Sequence, residues 1–598
     1  MDNKYYWKKP LTLHELMEEI ENLDESYDIP DTISIFPPSD GYETDEDSGD
    51  EAKVDINNLP GNQLRAEAEV SFENNDILSA DGYDREDELP LSSFLQPKHQ
   101  KLLFETSTFK KSKPTFTWKK TDINACLSTW QEKQGSKNTL SPIDLFFLFV
   151  DDEIIDLIRN FTNLYASQHN RSGDVSTEEI KCFIGILLLS GYYKFPRRAM
   201  YWENAEDAGS KLVYEAMSRD RFSFIMQNLH CNDNTKLTKD DKFTKLRPLF
   251  DTLNKKFQAF APFQEFHSLD ESMVPYYGGH GTKQFIRGKP IRWGYKFWTG
   301  TTRNGYVEWF EPYQGSGTQL PKKYHHLGLG ASVVLQFADV LMLIYNNVPY
   351  HIFCDNFFTS IILLIELAKR GIKCTGTMRE NRLQNCPLKS SKALKKESRG
   401  TFDYSCIEGE NIIVCKWNDN NVVTIGSNVT SPFPTLSVKR FSQKEKKHIY
   451  INQPHLIKKY NENMGGVDRA DQNIGLYRVC IRGKKWYSSL FSHCIDMAEQ
   501  NAWQLHKFNG GKMDHLTFRR CIASGLLETF KKTTKRGPSK QSKYHRMESR
   551  YDRLDHLIVY QEKQTRCGYC HKLAAFRCSK CNVALHPKEC FIKYHSRE

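Results

Sequence analysis

The sequence predicts an α/β protein of several domains, and three observations carry this prediction. The chain has 598 residues, 39% of them hydrophobic, so it can bury several cores. In its middle part, short runs of aromatic and β-branched residues alternate with longer helical patterns. No apolar run has the length of a membrane span, and the N-terminus lacks the apolar segment of a signal peptide. We therefore expect an intracellular protein that does not enter membranes.

Charge separates the N-terminal arm from the rest of the chain. Residues 1–92 hold 26 Asp and Glu against 6 Lys and Arg, a net charge of −20, and the whole chain carries +9, so the remainder carries +29. The composition of residues 1–110 favours a mostly disordered acidic arm, which is a candidate segment for binding host proteins. A body this basic favours a polyanionic partner, most often nucleic acid, although ordinary solubility charge is the alternative.

Next along the chain, residues 118–265 show helical patterns, and the Ser-Thr-Glu-Glu sequence at 176–179 predicts a helix start. Residues 266–383 then become strand-like. We predict a strand over 266–274, a hairpin formed by 291–298 and 305–310, a helix near 331–345, a strand ending before Asp355, and a helix capped by Thr359 or Ser360. The order strand, strand, strand, helix, strand, helix is the order expected of a ribonuclease-H-like core.

The remaining segments complete the predicted domain organisation. Residues 384–452 contain short strands separated by turns and predict a β-rich insertion, after which 453–477 return to the core. A second helical part covers 478–530, with a strong helix over 484–507. A basic linker follows over 531–562, and a cysteine-rich domain over 563–598.

Three aspartates stand in positions that could bring them together. Asp270 lies inside an apolar strand, Asp355 follows a buried strand, and Asp468 lies beside a helix; Asp471 would share a face with Asp468 if the two lie on one helical turn. A lone aspartate at such a place is usually a helix cap or a turn residue. Three clustered carboxylates instead repel one another and need cations, and hard oxygen ligands suit Mg²⁺ or Mn²⁺. Two such ions could support phosphodiester chemistry.

The C-terminal cysteines and histidines form the strongest local motif. Five of the 16 cysteines lie in the last 32 residues, and two Cys-x2-Cys pairs are typical of tetrahedral zinc sites. A domain of this size would depend on metal for folding. Two closed zinc sites need eight ligands, and seven are evident, so His571 is the nearest candidate for the eighth; a single zinc site is the alternative. The seven are Cys567, Cys570, Cys578, Cys581, His586, Cys590 and His595.

Three stretches resemble those of piggyBac-family transposases: 269–271, 354–360 and 465–472. The resemblance covers roughly 120–510 and then the cysteine-rich tail. It implies that Asp270, Asp355 and Asp468 are the catalytic triad and that Asp471 is also needed for activity. It further implies a ribonuclease-H-like core with an insertion, and a helical dimerisation and DNA-binding domain. The tail would be a cross-braced two-zinc domain that binds transposon ends.

The resemblance leads to two functional hypotheses. The first is a homodimeric, metal-dependent transposase that cuts double-stranded DNA at terminal repeats through hairpin intermediates and integrates at TTAA. The second is a domesticated DNA-binding or chromatin protein without catalysis. The four acids favour the first hypothesis. Under either hypothesis we expect residence in the nucleus, with the basic segment 531–540 as the localisation signal.

Overall fold

The computed structural model describes residues 116–123, 130, 140–286, 291–318, 320–344, 348–442, 445–531, 549–551 and 555–596, together with the backbone of 32–35 and 68–71. The chain divides into two compact units, which we describe separately. The larger unit combines Met1–Lys194 with Asp220–Lys531, and the smaller combines Phe195–Arg219 with Lys532–Glu598. Within the described part, no helix has the length and apolar character that crossing a membrane would require.

A mixed 12-stranded sheet organises the larger unit. Its strands are β1 (Thr32–Ile35), β2 (Ala68–Ser71), β3 (Trp118–Lys119), β4 (Phe266–Pro275), β5 (Gln284–Ile286), β6 (Trp293–Thr302), β7 (Val307–Pro312), β8 (His351–Cys354), β9 (Lys373–Thr377), β10 (Phe402–Ile407), β11 (Ile412–Asn418) and β12 (Val422–Ser427). Two further ribbons are formed by β13 (Leu436–Ser442) with β14 (Lys447–Gln453), and by β15 (Ile558–Arg566) with β16 (Leu573–Cys578).

The centre of the sheet has the strand order β6-β4-β8-β9, with β7 on the outer side of β6. Strand β6 is antiparallel to both β4 and β7, whereas β4, β8 and β9 are mutually parallel. These strands contain the predicted hairpin and the predicted strand before Asp355. Because β4 and β8 run side by side in the same direction, residues that follow equivalent positions emerge at the same edge.

The helices of the described residues are α1 (Pro142–Phe147), α2 (Asp152–Gln168), α3 (Thr177–Ser190), α4 (Lys211–Ala216), α5 (Arg219–Asn228), α6 (Arg247–Ala259), α7 (Leu329–Ile344), α8 (Ile361–Lys369), α9 (Ser391–Lys395), α10 (His455–Asn463), α11 (Gly466–Leu476), α12 (Ser488–Phe508), α13 (His515–Thr529) and α14 (Glu589–His595). The predicted capping box at α3 is confirmed, since Ser176 and Glu179 exchange side-chain and backbone hydrogen bonds. Ser360, rather than Thr359, caps α8 by accepting a bond from the Leu363 N–H.

Helices cover both faces of the central strands. On one face, Phe337 of α7 packs on the buried core around Leu269 and Trp298, and the tight approach leaves room only for glycine at Gly300 of β6. On the other face, α11 lies against β4, and a side chain at Gly466 would collide with the Ser268 hydroxyl. The acids predicted from the sequence belong to this second face.

The predicted insertion strands are present, but they join the main sheet. Strand β12 pairs with β9 through Ile425 and Thr377, and β11 and β10 continue the sheet outward. Strand β3, inside the segment predicted as helical, pairs with β10 at the far edge. In the arm predicted to be mostly disordered, β1 and β2 form an antiparallel pair that adds to β5 at the opposite edge; the rest of 1–110 lies outside the described residues.

The smaller unit contains a compact cysteine-rich domain. Strands β15 and β16 pair antiparallel, and α14 follows near the end of the chain. Its small interior consists of three cysteines and three aliphatic residues, namely Cys567, Ala574, Cys578, Cys581, Ala584 and Leu585. The domain starts before residue 563, since β15 begins at Ile558. Most of the predicted basic segment, 532–548, lies outside the described residues.

Candidate functional site

Asp270 lies on β4, and Asp355 directly follows the neighbouring parallel strand β8. The last registered pair between β4 and β8 joins Leu269 to Cys354, so the two aspartates follow at the same level. Alternation along the strands places both on the face that carries Ser268 and Phe353. Asp270 also lies opposite Thr299 of β6. The sheet therefore brings together two acids that are 85 positions apart in the sequence.

A tight turn fixes Asp355 at the carboxyl end of β8. The Phe357 N–H donates to Asp355 Oδ1 at 2.9 Å, and the Thr359 hydroxyl donates to the Asp355 carbonyl oxygen at 2.7 Å. Ser360 then starts α8. Thr359 thus serves the turn while Ser360 caps the helix. The side chain of Asp355 is partly exposed, at an edge where ligands of parallel sheets commonly bind.

Helix α11 adds the third and fourth acids to this face. Gly466 permits its first turn to lie against Ser268 and Thr301, and the Ser272 hydroxyl donates to Asp471 Oδ1 at 2.5 Å. Asp468 lies between these two contacts along the helix and is exposed. Its carboxylate has no hydrogen-bond or ion-pair partner among the described residues. A free carboxylate beside the strand that holds Asp270 is a suitable ligand for a cation.

Asp270, Asp355 and the helix α11, which carries Asp468 and Asp471, lie on one face of the sheet, but the four acids do not form a tight cluster. Among the described residues, the only groups of three or more ligand side chains within 4.8 Å of one another are two cysteine and histidine clusters elsewhere. The sheet acids are therefore more widely spaced than the ligands of a closed single-ion site. Their oxygen ligands nevertheless match the preference of Mg²⁺ and Mn²⁺.

Tyr460 of α10 is a neighbour that the sequence analysis did not single out. Its hydroxyl lies 3.5 Å from Thr377 Oγ1 on β9, and Thr377 follows Gly376, which is registered with Cys354. Burial raises the pKa of Tyr460, and the charges of Asp355 and Asp270 raise it further. Tyr460 therefore remains a neutral hydroxyl beside both carboxylates. Tyr460 lies eight positions before Asp468 in the sequence. It was not predicted as a site residue because tyrosine is not a carboxylate ligand.

The C-terminal domain contains two four-residue clusters that could each hold a metal ion. One comprises Cys567, Cys570, His586 and Cys590, and the other His556, Cys578, Cys581 and His595. Their ligands alternate along the chain, which is the arrangement of a cross-brace. The sulfur-to-nitrogen distances are 3.3 to 3.4 Å: Cys570 Sγ to His586 Nδ1, Cys578 Sγ and Cys581 Sγ to His556 Nδ1, and Cys581 Sγ to His595 Nε2.

These distances and the histidine orientations fit zinc. With ordinary Zn–S and Zn–N bond lengths, a tetrahedral site would separate the two ligand atoms by about 3.6 Å. His586 donates from Nε2 to the Leu573 carbonyl at 3.0 Å, which leaves Nδ1 for an ion, and His595 donates from Nδ1 to the Phe591 carbonyl at 2.8 Å, which leaves Nε2. Such outer bonds fix the tautomer of metal-binding histidines.

The eighth ligand position belongs to His556, and His571 is in neither cluster. His571 has a φ of +62° and its N–H donates to the Cys567 carbonyl, so it closes the turn after the first cysteine pair with its ring exposed. His556 lies before β15, in the segment that the sequence analysis assigned to the basic linker. It was missed because it stands 11 residues before the first cysteine, beyond the dense motif.

Cys567 is prepared to bind as a thiolate. Burial opposes its ionisation, but hydrogen bonds from the backbone N–H groups of Cys570 and Tyr569, with others from His586, lower its pKa to about 6. Cys590 differs, since burial and the neighbouring cysteines Cys570 and Cys567 raise its pKa to about 11. A cation in this cluster would favour the thiolate form of both residues.

Comparisons with known proteins agree with this architecture. The family described as Transposase IS4 matches residues 141–503. PiggyBac transposable element-derived protein 3 of Homo sapiens is 44% identical over 98% of this chain and 100% of its own length. PiggyBac transposable element-derived protein 2 of Homo sapiens is 44% identical over 94% of this chain and 93% of its own length.

A solved structure is similar in fold. A piggyBac transposase, determined by cryo-electron microscopy in a synaptic complex with hairpin DNA, superposes with a TM-score of 0.56 over 75% of this chain and 96% of its own, at 22% identity. The fold and the sequence thus define a protein of the transposase class. Within that class, the chain belongs to the piggyBac family, together with the piggyBac transposable element-derived proteins.

Proposed function

We propose that this protein is a metal-dependent DNA transposase, or a cleavage-competent derivative of one, that uses Asp270, Asp355 and Asp468 as its catalytic acids. The proposal is supported by Asp270 on β4 and Asp355 directly after the parallel strand β8 at the same level, with α11, the helix that carries Asp468, against the same face. Family membership gives this placement its chemical meaning. Asp471, bonded to Ser272, would act as a positioning residue for α11.

The strand order supports a ribonuclease-H-like assignment for the core. Three antiparallel strands, β4, β6 and β7, are followed by α7, the parallel strand β8, α8 and the parallel strand β9. This is the order that the sequence predicted for such a core. The two central acids then lie on its first and fourth strands, and the helices α10 and α11 return the chain to the same face.

The three carboxylates would hold Mg²⁺ or Mn²⁺. When bound, such ions activate a water or a 3′-hydroxyl and stabilise the leaving oxygen in phosphodiester chemistry. The chain itself supplies the orientation. The turn through Phe357 and Thr359 holds Asp355, and the Ser272 bond to Asp471 keeps α11 on β4. Tyr460 offers a neutral donor beside the acids.

We extend the proposal to the DNA substrate and the assembly. The substrate would be double-stranded DNA at terminal inverted repeats, with TTAA targets, handled by a homodimer. Support comes from the family, from the net charge of +29 outside residues 1–92, and from the related piggyBac transposase whose complex contains hairpin DNA. We place the protein in the nucleus and assign the acidic arm to binding of host proteins.

For the tail we propose two zinc ions, one in each cluster. The alternating ligand order and the fixed histidine tautomers support this assignment. The interior of the domain is made largely of ligand cysteines and small residues, so metal would provide most of its folding free energy. In this proposal the tail contacts the transposon ends.

A cleavage assay tests the proposal. Sequences bound by the full-length protein are first selected from a library of genomic fragments, and each selected sequence is then placed beside TTAA in a labelled duplex. Wild type should nick this duplex only with Mg²⁺ or Mn²⁺. Asp355→Asn should cut slower by on the order of 10³-fold, the equivalent of about 4 kcal/mol, with unchanged binding. The exposed Asp240→Asn serves as the matched control.

The same assay evaluates the second candidate, a domesticated DNA-binding protein without catalysis. The human relatives are named transposable element-derived proteins, and this derivation supports the second candidate. Selective binding without any metal-dependent nicking would support it against the transposase. Cleavage by Asp355→Asn at the wild-type rate would instead show that the acids are wrongly assigned.

A further inference from the structure

The ribbon of β13 and β14 has one anchored face and one free face. Its seven registered pairs run from Leu436 with Gln453 to Ser442 with Lys447. Alternation along the two strands places Val438, Arg440, Ile449 and Ile451 on the inner face. The outer face carries the intervening residues. The two faces differ sharply in composition and in contacts.

The inner face holds the ribbon firmly. Ile451 is buried in a cluster with Trp417 and Leu456, and Val438 and Ile449 pack against it. Arg440 Nε lies 3.0 Å from Asp419 Oδ2, and its guanidinium lies over the Trp417 ring. The ribbon is therefore a rigid projection of the larger unit, and side chains on its outer face are presented in fixed positions.

The outer face combines exposed aromatic rings with positive charge. Its directly opposed pairs are Ser437 with Asn452, Lys439 with Tyr450, and Phe441 with His448. Tyr450 is 72% exposed and Phe441 47%, which is unusual for rings on a well-anchored strand. None of the six residues is acidic, and the side-chain ammonium of Lys439 has no hydrogen-bond or ion-pair partner among the described residues.

An open depression adjoins the Tyr450 ring. Its volume is ≈ 340 Å³ and its lining includes Arg399, Gly400, Tyr450 and Asn452. Gly400 has a φ of +98°, and a side chain there would come within 3.0 Å of the Asn452 nitrogen, so the floor remains open only with glycine. Arg399 is fixed by Asp419 and by the Phe441 carbonyl. Arg399 thus places one cation at the border of the depression, in addition to Lys439 on the outer face.

We infer that the outer face of this ribbon binds unpaired bases of a DNA strand, with the Tyr450 and Phe441 rings stacking on bases and Lys439 contacting phosphate. Aromatic rings interleaved with cations form the usual platform for single-stranded nucleic acid, because every base offers a flat face. A purely duplex-binding surface would need cations and polar readers rather than two bare rings. The inference rests on the proposed function only in that the ligand is DNA.

Binding by the full-length protein to two probes tests this inference. One probe is a blunt duplex, and the other is the same duplex with a short unpaired thymidine extension. Tyr450→Ala should weaken binding of the extended probe about tenfold and leave the blunt probe unchanged. Tyr450→Phe, which keeps the ring, should bind like wild type. Lys439→Ala should weaken the extended probe and lower its salt dependence by about one phosphate contact.

Controls keep the result interpretable. Leu343→Ala removes a side chain that is 82% exposed on α7 and should change neither probe. The unfolding midpoint of each variant checks folding, which the exposed Tyr450 ring should not affect. Equal losses on both probes would overturn the inference in favour of duplex contact. It would also be overturned if Tyr450→Phe lost as much as Tyr450→Ala, or if no variant changed binding, as expected for a protein-binding or idle surface.

The inference can fail independently of the proposed function. Asp355→Asn protein, which should not cut, should show the same preference for the extended probe. Wild-type protein that never cuts, together with a retained Tyr450 effect, would refute the transposase while supporting the ribbon as a binding surface. Cleavage with no Tyr450 effect would do the reverse.

Discussion

The aspartates of the sheet face and the cysteine and histidine clusters of the tail are built in opposite ways. On the sheet face, Asp270, Asp355 and Asp468 are held by strands and helices that bury a large apolar core of their own. In the tail, the ligands themselves form much of the interior, with Cys567, Cys578 and Cys581 buried among small residues. The sheet site is spaced and partly exposed, whereas each tail cluster already fits within 4.8 Å.

Under the proposed function, this difference separates a metal that serves chemistry from a metal that serves folding. A catalytic site keeps coordination positions open for substrate, so its ligands can be widely spaced and its scaffold must stand without the ion. A structural site is closed and contributes directly to folding. Under that proposal, the unpartnered carboxylate of Asp468 and the four clustered side chains at each tail site represent these two kinds of site in one chain.

The largest expected effect comes from removing zinc. A high-affinity chelator should release two zinc ions per chain and unfold residues 555–596, because structural zinc contributes about 10–16 kcal/mol in small metal domains. The larger unit should keep its unfolding transition. Hydrogen exchange would report the tail, and tryptophan fluorescence would report the remainder, since none of the 10 tryptophans lies after Trp503. A tail that stays protected, or a core that melts with it, would remove the contrast.

A histidine pair sharpens the comparison within the tail. His556→Asn should reduce the zinc content from two ions to one, since His556 belongs to the second cluster. His571→Asn should leave two ions, because His571 only closes a turn with φ of +62°, a conformation that asparagine tolerates. Native mass spectrometry of the full-length variants gives the counts. Loss of an ion in His571→Asn alone would return the eighth position to His571.

These two histidines also show which features of the structure could be predicted from the sequence. The core strands β4, β6, β7 and β8, the helix start at Ser176, and the positions of Asp270 inside an apolar strand and of Asp355 after another follow from local patterns, so they were predictable. His556 was not, because only folding of β15 brings it beside Cys578. Tyr460 was missed for the same reason: its relation to Asp355 arises across two strands and a helix. The joining of β12 to β9 likewise depends on long-range pairing.

Acid should lower the stability of the larger unit and of the tail for different reasons. In the larger unit, one reason is the buried side chain of His280. Burial, together with the charges of Lys242 and Lys245, lowers the pKa of His280 to about 3, and its ring stacks on Trp486 at 4.0 Å. Below about pH 6.5 the unfolded state takes up a proton that the folded state does not, so stability falls as pH falls towards 3.

The expected size follows from this shift. Between pH 6.5 and 5, His280 alone should cost about 2 kcal/mol, at roughly 1.4 kcal/mol per pH unit. His280→Gln should therefore be less sensitive to acid than wild type by this amount, although other buried histidines keep some slope. Denaturant unfolding followed by tryptophan fluorescence measures it, and the tail, which loses zinc in acid, does not contribute to that signal. Parallel pH curves for the two proteins would contradict the assignment.

The smallest expected effect reverses sign with metal and tests whether the sheet acids form an ion site at all. Without Mg²⁺, Asp355→Asn should be more stable than wild type by on the order of 1 kcal/mol, because one of two neighbouring carboxylate charges is removed. The substitution keeps the Oδ1 acceptor for the Phe357 N–H, so the turn should survive.

With Mg²⁺ at about ten times its Kd, wild type should gain about 1.4 kcal/mol and the variant little. The two stability curves, measured by tryptophan fluorescence in zinc-loaded protein, should cross as Mg²⁺ is added. Exposed Asp240→Asn should follow wild type throughout. If Mg²⁺ stabilised Asp355→Asn as much as wild type, the acids of the sheet face would not share an ion, and the contrast with the tail would reduce to a single metal-binding region.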